Sequence, residues 1–401
     1  MDQHTSVRPL RNARRNLSFF IAGLLLVEFL DELVFGVREA AWPLVRSDLN
    51  LSYTEIGLLL GVPSFVANLI EPIFGILGDT WNRRALILGG GVCFAAALLF
   101  TAVSPNFALL LTALVLFSPA SGAFVGLSQA ALMDADPSRH QQNMARWTLA
   151  GSIGNVIGPA ALGGALMIGA AWQELFGLMF VLTLLLLAVV WRFPFATPSA
   201  GEARDERRGV RDGIRDAIHA LRRREVLRWL VLLEFADLTW DVLRGFLALY
   251  FVDVVGTSET QAALAVIVWT GVGLPGDVLL IPLLERVRGL SYLKCSALAV
   301  LFLFPAFLLA GDVTLKLALL GLLGFANAGW YSILKAQLYS EMPGQSGTVM
   351  ALGNVFGLVS GLVPLALGVV AERYGLQVTM WLLLIGPLVV LIGLLRVSQD
   401  G

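Results

Sequence analysis

Long apolar runs, separated by short polar breaks, fill most of this chain and restrict what it can fold into. A helix needs about 20 mainly apolar residues to cross a lipid bilayer, and twelve runs of about that length can be marked out. They cover residues 17–41, 54–78, 85–103, 106–133, 146–169, 172–194, 226–252, 260–284, 291–310, 313–338, 346–370 and 375–396. Only 14% of the residues are charged, against about 25% in soluble domains. The sequence therefore predicts an all-α integral membrane protein with twelve transmembrane helices.

The basic residues predict the orientation of these helices. With the N-terminus in the cytoplasm, the outer loops hold only Arg46, Lys316 and Arg373. The cytoplasmic ends then hold Arg8, Arg11, Arg14, Arg15, Arg83, Arg84, Arg139, Arg146, the cluster from Arg192 to Arg228, Arg286, Arg288, Lys294 and Arg396. Because cytoplasmic loops carry an excess of Lys and Arg, we expect a multi-pass protein of the bacterial inner (plasma) membrane with both termini in the cytoplasm. The first apolar run is too long for a signal peptide and carries acids, so we expect it to be retained.

One polar, arginine-rich segment divides the chain into two halves of six apolar runs. We interpret it as a cytoplasmic linker, part of it an amphipathic helix on the anionic inner leaflet, rather than as a nucleic-acid-binding element. The predicted organisation is an N-terminal tail (1–16), a six-helix bundle (17–195), the linker (196–225), a second six-helix bundle (226–396) and a C-terminal tail (397–401).

The two halves repeat each other with an offset of 206 residues. The matching pairs are Glu28-Phe29 with Glu234-Phe235, Asp31 with Asp237, Arg38 with Arg244, Glu71 with Asp277, Asp79 with Glu285, and Pro137 with Pro343. Two six-helix repeats around a site near the bilayer midplane are a recurrent plan of transporters. We therefore expect two pseudo-symmetric bundles with a site between them.

The first and seventh predicted helices each carry a stripe of acids. Residues 28, 31, 35 and 38 lie on one helix face, as do their counterparts in the seventh helix. The charged members are Glu28, Asp31, Glu32 and Arg38, and Glu234, Asp237, Asp241 and Arg244. An ionisable residue that faces lipid at the bilayer centre costs at least about 2.5–3.5 kcal/mol. We therefore expect both stripes to face a water-accessible cavity between the bundles.

Three further helices supply candidates for this cavity. They are Asn68 and Glu71 on the second helix, Asp277 on the eighth, and Asn327, Trp330, Tyr331 and Lys335 on the tenth. The eight candidate acids of helices one, two, seven and eight are opposed by only two candidate arginines, Arg38 and Arg244, so we expect part of the set to be protonated or balanced by a cation. The aromatic residues are equally consistent with binding an organic cation and with packing inside the protein. Glu39 and Glu285 are expected only to pair with neighbouring arginines.

The loop after the second helix reads GILGDTWNRR, residues 75–84. It resembles the G-x-L-x-D-R-x-G-R-R signature of the major facilitator superfamily of transporters. The matching residues are Gly75, Gly78, Asp79, Arg83 and Arg84, whereas Thr80 and Asn82 replace an Arg and a Gly. By resemblance, the loop is a cytoplasmic gate latch that forms when the cavity opens outward. The second-half copy, LLERVRG, is degenerate.

The fifth helix contains GNVIGPAALGG, residues 154–164. It is similar to the G-x-x-x-G-P-x-x-x-G-G pattern of exporters of the antiporter type. The matching residues are Gly154, Gly158, Pro159, Gly163 and Gly164. Glycines four residues apart let a neighbouring helix approach closely, and ordinary packing is an alternative explanation. The chain departs from these exporters at SPASG, residues 118–122, which lacks the basic residue expected early in the fourth helix.

The resemblance implies a monomeric secondary transporter of the drug or metabolite:proton antiporter type, driven by an ion gradient and without a cofactor or resident metal. We expect export of a small cationic or amphipathic compound by alternating access between the bundles. A divalent metal ion held by cavity carboxylates and Asn68, or uptake of a nutrient by proton symport, are the alternatives. No nucleophile–base pair or metal triad occurs in the predicted helices, so an enzyme is not expected.

Overall fold

A computed structural model describes residues 7–80, 82–135, 140–193, 222–342 and 346–397. In these residues all regular structure is helical, and the helices form twelve rods. Seven are continuous: α1 (Val7–Leu49), α2 (Tyr53–Thr80), α3 (Arg83–Ala102), α5 (His140–Met167), α6 (Trp172–Val190), α8 (Glu259–Leu284) and α9 (Gly289–Leu309). Two contain π-helical turns: α4 (Phe107–Ser121, Gly122–Gly126 and Leu127–Ala135) and α7 (Arg224–Asp237, Leu238–Val242, Leu243–Leu249 and Tyr250–Val254). Three are broken: α10 (Val313–Ala326 and Trp330–Glu341), α11 (Ser346–Ser360 and Val363–Tyr374) and α12 (Leu376–Leu382 and Ile385–Val397).

The predicted all-α fold class is confirmed. Among the described residues, stretches of ten of the twelve rods are long and apolar enough to cross a membrane. The other two, α1 and α7, are the rods that carry the acidic stripes. Their acids therefore need polar neighbours within the protein.

The predicted tails and linker lie mostly outside the described residues, which leave out 1–6, 194–221 and 398–401. After the first two of these gaps, the helices begin earlier than the predicted apolar runs. Helix α1 begins at Val7, inside the predicted N-terminal tail, and α7 begins at Arg224, inside the predicted linker. Hydropathy marks the apolar part of a helix, whereas backbone hydrogen bonding continues into its polar end.

Side-chain caps fix where several helices begin. Asn82 accepts a hydrogen bond from Ala85 N (3.1 Å) at the start of α3, and Asn106 does the same for α4. Ser258 and Gln261 form a reciprocal capping box at the start of α8. Each cap satisfies backbone N–H groups that have no partner inside the helix.

The rods pack as two bundles of six. In the first, α1 lies along α5, and α3 packs against α4 and α6. In the second, α7 packs against α10 and α12, and α8 packs against α10. The bundles meet where α2 contacts α11, α5 contacts α8, and α1 contacts α7. This interface holds the candidate site.

Lys316 does not lie in an outer loop as the charge pattern led us to expect. It lies in the first turn of α10 and is only 4% exposed. Its Nζ donates to Tyr250 Oη (3.0 Å) and to the carbonyl oxygens of Phe307 (2.8 Å) and Leu308 (3.1 Å). These carbonyls end α9, where a cation is favoured by the helix dipole. The lysine therefore ties α9, α10 and α7 together.

Candidate functional site

A cavity of about 320 Å³ lies at the interface between the two bundles. Helices α1, α2 and α4 form most of its wall, and α7 and α11 close it from the other bundle. The lining residues are Asp31, Glu32, Phe35, Arg38, Glu39, Leu59, Leu60, Pro63, Ser64, Ala67, Glu71, Phe117, Ser118, Ser121, Asp241, Val242, Gly245 and Pro364. Five of these are carboxylates and one is a guanidinium, so the wall carries a surplus of acidic groups.

Helix α4 contributes hydroxyl groups where the family resemblance led us to look for a basic residue. Ser121 Oγ donates to Asp31 Oδ1 (2.9 Å), and Ser118 also lines the cavity. Glu71 packs against Gly122, where a Cβ atom would lie 2.8 Å from Glu71 Cγ. Gly122 begins the π-helical turn of α4, a feature often found at functional sites. Small residues of α4 thus hold two acids of the cavity: Ser121 donates a hydrogen bond to Asp31, and Gly122 leaves room for Glu71.

An amide that no charge pattern in the sequence marks connects the two acidic helices. Asn155 Nδ2 on α5 donates to Glu32 Oε2 (2.6 Å). Its Oδ1 accepts from Arg244 Nη1 on α7 (3.5 Å). Arg244 Nη2 also donates to Asp241 Oδ1 (2.7 Å). The only sequence signal for Asn155 is its place inside the fifth-helix glycine pattern, beside Gly154.

The first half of that glycine pattern sets the close approach of α5 and α1. A Cβ atom on Gly154 would lie 2.9 Å from Leu33 N, and one on Gly158 would lie 2.8 Å from Val37 N. Pro159 is buried in the same contact, next to Gly36. The second half of the pattern behaves differently: a Cβ atom on Gly163 would lie 3.9 Å from Ala263 Cβ, and one on Gly164 would meet no described neighbour within 4 Å.

Phe35 lies between two arginines at equivalent positions of the repeat. The guanidinium carbon of Arg38 is 4.4 Å from the ring centroid, and that of Arg244 is 4.2 Å away. Glu39, which the sequence analysis set aside, lines the cavity here and is 2% exposed. Its Oε1 accepts from Arg38 Nη2 (3.4 Å), and its buried Oε2 has no hydrogen-bond partner among the described residues. The expected pairing with an arginine therefore accounts for Oε1 of this carboxylate but not for Oε2.

The remaining members of the acidic stripes do not line the cavity. Glu28 is 9% exposed and packs against Gly151 of α5. Glu234 and Asp237 are half-buried in the second bundle. Asp237 interacts electrostatically with Lys335, whose Nζ donates to the hydroxyl of Tyr331 (2.5 Å). In this structure Asp31, Glu32 and Asp241 line the same cavity, and a cavity shared by the whole of both stripes remains a prediction.

A helix break separates the candidates on α10. The spacing of Asn327, Trp330 and Tyr331 placed them on one helix face, but α10 is interrupted there and Gly329 has a left-handed φ of +73°. Trp330 is 1% exposed and its Nε1 donates to Ser296 Oγ (2.6 Å) inside the second bundle. Asn327 is likewise buried, whereas Tyr331 is exposed. The structure places none of the three in the cavity lining.

Asn68 lies at the bundle interface rather than in the cavity wall. Its Nδ2 donates to Gly357 O of α11 (3.1 Å) and to Ser64 O of its own helix (3.0 Å). Asp277, the candidate residue on α8, has a side chain outside the described part of the chain.

The loop motif between α2 and α3 lies at the end of the bundles that carries the chain termini. Arg83 is 9% exposed, donates to Gly78 O (3.2 Å) and forms an ion pair with Asp134 of α4. Arg84 donates to Trp191 O (2.6 Å). The surroundings of Gly75 and the side chain of Asp79 lie outside the described part, so their predicted role remains a prediction. Asp134 was not identified from the sequence.

The opposite end of the bundles is closed by polar contacts between them. Arg46 Nη1 of the first bundle pairs with Asp253 of the second (3.1 Å), and Tyr53 Oη donates to the same carboxylate (2.9 Å). Tyr53 N also donates to Glu372 Oε2 (2.7 Å). We call these four residues the end latch. It joins the ends of α1 and α2 to the ends of α7 and α11.

Within the described residues, no group of three or more His, Cys, Asp or Glu side chains has an arrangement that could hold a metal ion. The cavity acids are spread over α1, α2 and α7 instead of converging on one point. The divalent-ion alternative therefore has no ready cluster in this part of the chain.

The chain is similar to known transporters over most of its length. The family model of the Major Facilitator Superfamily matches residues 24–363. The fosmidomycin resistance protein of Escherichia coli (strain K12) is 24% identical over 368 residues, which are 90% of this chain and 88% of that protein. The multidrug efflux pump SdrM of Staphylococcus aureus (strain N315) is 26% identical over 183 residues, 44% of this chain and 39% of the pump. The crystal structure of a bacterial homologue of the human lysosomal transporter Spinster, inward-facing and occupied, has a TM-score of 0.76 at 14% identity and covers 95% of this chain and 97% of its own.

Proposed function

This chain belongs to the major facilitator superfamily, and we propose that it exports a small cationic or amphipathic organic compound in exchange for protons. That it is a multi-pass membrane transporter and not an enzyme follows from the family. The substrate class, the direction and the coupling ion are the proposed part. The observation that carries the proposal is the surplus of carboxylates on the cavity between the bundles, five against one guanidinium.

This surplus of carboxylates favours binding of a cation and makes that binding compete with protonation of the same groups. A cleft lined by one sign of charge with low-dielectric walls concentrates ligands of the opposite sign. Carboxylates confined together need counter-charges, and either protons or a cationic substrate can supply them. The two ligands then compete for the same groups, which is the requirement for exchange. Leu59, Leu60 and Phe117 form an apolar part of the wall that suits the organic portion of a substrate.

Alternating access provides the route. We place both termini in the cytoplasm, because Lys and Arg concentrate at that end of the helices. With this orientation, the end latch of Arg46, Tyr53, Asp253 and Glu372 closes the extracellular end of the cavity. Rocking of the bundles would open this latch and close the opposite end, where Arg83 and its loop lie. We expect this cycle to run in a monomer in the bacterial inner membrane.

Two observations support export over uptake. Gly154 and Gly158 of the exporter-type pattern make the close contact between α5 and α1 beside the cavity. Two relatives are a resistance protein and a multidrug efflux pump by name. Uptake by symport predicts the opposite flux under the same gradient, so a side-specific flux measurement separates the two.

Purified protein in proteoliposomes tests the proposal, with ethidium as a fluorescent organic cation and an imposed pH gradient. We expect the wild type to move ethidium against its gradient only when protons flow the other way. The combined variant Asp31→Asn and Glu32→Gln should lose this movement. Asp312→Asn is the matched control, because it removes a carboxylate that caps α10 and does not line the cavity, and it leaves an asparagine that also caps. Movement of ethidium by the double variant at the wild-type rate would overturn the proposal.

The ion alternative is tested with the same protein. A calorimetric titration with Mn²⁺ in the absence of organic cations should show no site that depends on Asp31 and Glu71. A stoichiometric site lost in Asp31→Asn would favour metal transport instead.

A further inference from the structure

Asn155 connects the two bundles beside the cavity, and none of the sequence motifs gives it a role. It bonds Glu32 of α1 through its Nδ2 (2.6 Å) and Arg244 of α7 through its Oδ1 (3.5 Å). Helices α1 and α5 belong to the first bundle and α7 to the second. The path from Glu32 through Asn155 to Arg244 therefore crosses the surface along which the bundles must move apart.

The amide of Asn155 matches the hydrogen-bonding chemistry of its two neighbours. An ionised carboxylate only accepts hydrogen bonds and a guanidinium only donates them. A side chain between Glu32 and Arg244 must therefore donate on one side and accept on the other, and only one orientation of the Asn155 amide does so. Aspartate in its ionised form lacks the donor, and leucine lacks both groups.

The backbone holds this amide in place. The glycines on either side of Asn155, Gly154 and Gly158, bring α5 to within van der Waals contact of the α1 backbone. A Cβ atom on Gly36 of α1 would in turn lie 2.8 Å from Asn155 O. The close contact of α5 with α1 thus places the amide of Asn155 opposite Glu32.

Charged groups surround Glu32 on two of its sides. From α1 and α7 these are Glu28, Asp31, Arg38, Asp241 and Arg244. From α5, Asn155 is its hydrogen-bond partner. Asp31 is in turn faced by Ser121 of α4 and Glu71 of α2. Because acids predominate in this group, the bond from Asn155 and the charge of Arg244 matter most when Glu32 is ionised and has no ligand.

We propose that Asn155 is a positioning residue that transmits the occupancy of Glu32 to Arg244 and so keeps the empty transporter from changing sides. A hydrogen bond to an ionised carboxylate is about twice as strong as a neutral one, and it polarises the amide toward its second partner. When a proton from water or a substrate cation binds the Glu32 carboxylate, this bond weakens and the bundles are released at α7. The inference rests on the proposed proton exchange.

Loss of the amide should uncouple transport without stopping it. In proteoliposomes, Asn155→Leu should still let ethidium run down its own gradient, whereas accumulation driven by the pH gradient should fall about tenfold. Asn143→Leu is the matched control: it is the same change of an asparagine on α5, but Asn143 donates to Leu132 O (3.3 Å) and accepts from Arg146 Nη1 (3.4 Å), both within the first bundle. It should leave the ratio of driven to downhill movement unchanged.

A second variant and a second measurement keep the inference testable if Asn155→Leu does not fold. The isosteric Asn155→Asp keeps an acceptor for Arg244 but loses the donor to Glu32, so it should uncouple in the same way. Spin labels at the exposed positions Ser47 and Glu259, with Cys93 and Cys295 changed to serine, report separation of the bundles at the end latch. In substrate-free wild type, acid should shift the distance distribution toward the separated state, whereas the variants should show both states at alkaline and acidic pH.

The outcomes separate the two levels of the proposal. If the wild type shows no proton-driven ethidium movement, the proposed function is wrong and the role of Asn155 is lost with it. If the wild type is driven and a folded Asn155 variant keeps both its driven accumulation and the wild-type pH response, only the inference about Asn155 is wrong.

Discussion

The acidic stripes of α1 and α7 have the same residue pattern but different surroundings. On α1, Asp31 and Glu32 line the cavity and receive hydrogen bonds from Ser121 and Asn155. On α7, the matching Asp237 does not line it and interacts with Lys335 of its own bundle. The two halves of the repeat thus carry acids at matching helix positions, but the residues around these acids differ between the halves.

Helix breaks in the second bundle account for much of this difference. The positions that correspond to Ser121 and Asn155 are Asn327 and Gly361. Asn327 lies at the break in α10 and is 4% exposed, and Gly361 lies at the break in α11. Of the 18 described residues that line the cavity, 14 belong to the first bundle. We therefore expect proton coupling to depend mainly on the first bundle.

The largest expected effect compares Asp31→Asn with Asp237→Asn. Removing the charge of the cavity residue should reduce proton-driven ethidium transport about 100-fold, in the range typical of a lost proton-transfer group. Removing the charge of Asp237 should change it less than about tenfold. Initial rates in proteoliposomes, at equal amounts of folded protein, measure both. Equal losses in the two variants would mean that the bundles contribute alike and that the comparison is misleading.

The next effect concerns the glycine pattern of α5. The positions of α11 that correspond to Gly154 and Gly158 are Ser360 and Pro364, so α11 lacks these glycines. Gly158→Ala should lower the free energy of unfolding by about 2 kcal/mol, because the new methyl group overpacks the contact with α1. Gly164→Ala has open space and should be nearly neutral. Denaturant titration in detergent measures both changes. A neutral Gly158→Ala would show that α1 and α5 can separate freely.

A smaller loss is expected at a position where the second bundle is the more polar one. Lys316 corresponds to Leu110 in the first bundle, and both are buried. Lys316→Leu should cost about 1–2 kcal/mol of stability, because Phe307 O loses its lysine donor and Leu308 O keeps only the longer bond from Tyr250 Oη (3.5 Å). The melting temperature in detergent reports this loss. An unchanged value would indicate that water or backbone movement satisfies these carbonyls.

The smallest effect is expected at the end latch, which has no repeat counterpart because Val252 and Ser47 occupy the positions that match Arg46 and Asp253. The two side chains are 31% and 21% exposed, so their coupling should be below about 1 kcal/mol. A double-mutant cycle of Arg46→Ala and Asp253→Ala, read from the spin-label distances across the latch, measures this energy. A coupling well above this value would make the ion pair a principal determinant of closure.

The sequence could locate much of the site, but it could not identify the full set of residues that form it. The period of the acids placed Asp31, Glu32 and Asp241 near a cavity, because carboxylates cannot face lipid. The same reasoning misplaced Trp330, because one left-handed glycine three residues past a helix end turns the following side chains away. It also missed Asn155 and Asp134, which are polar residues whose partners lie on other helices.

Hydropathy and charge alone determined that the chain forms twelve helices in a membrane, since apolar runs and unpaired charges have few alternatives in a bilayer. The repeat and the loop motif determined the family. Only the tertiary structure decided which acids share a cavity, that Glu39 is one of them, and that Asn155 links the bundles. Helix contacts depend on where glycines permit approach and where helices break, and such contacts join residues far apart in the chain.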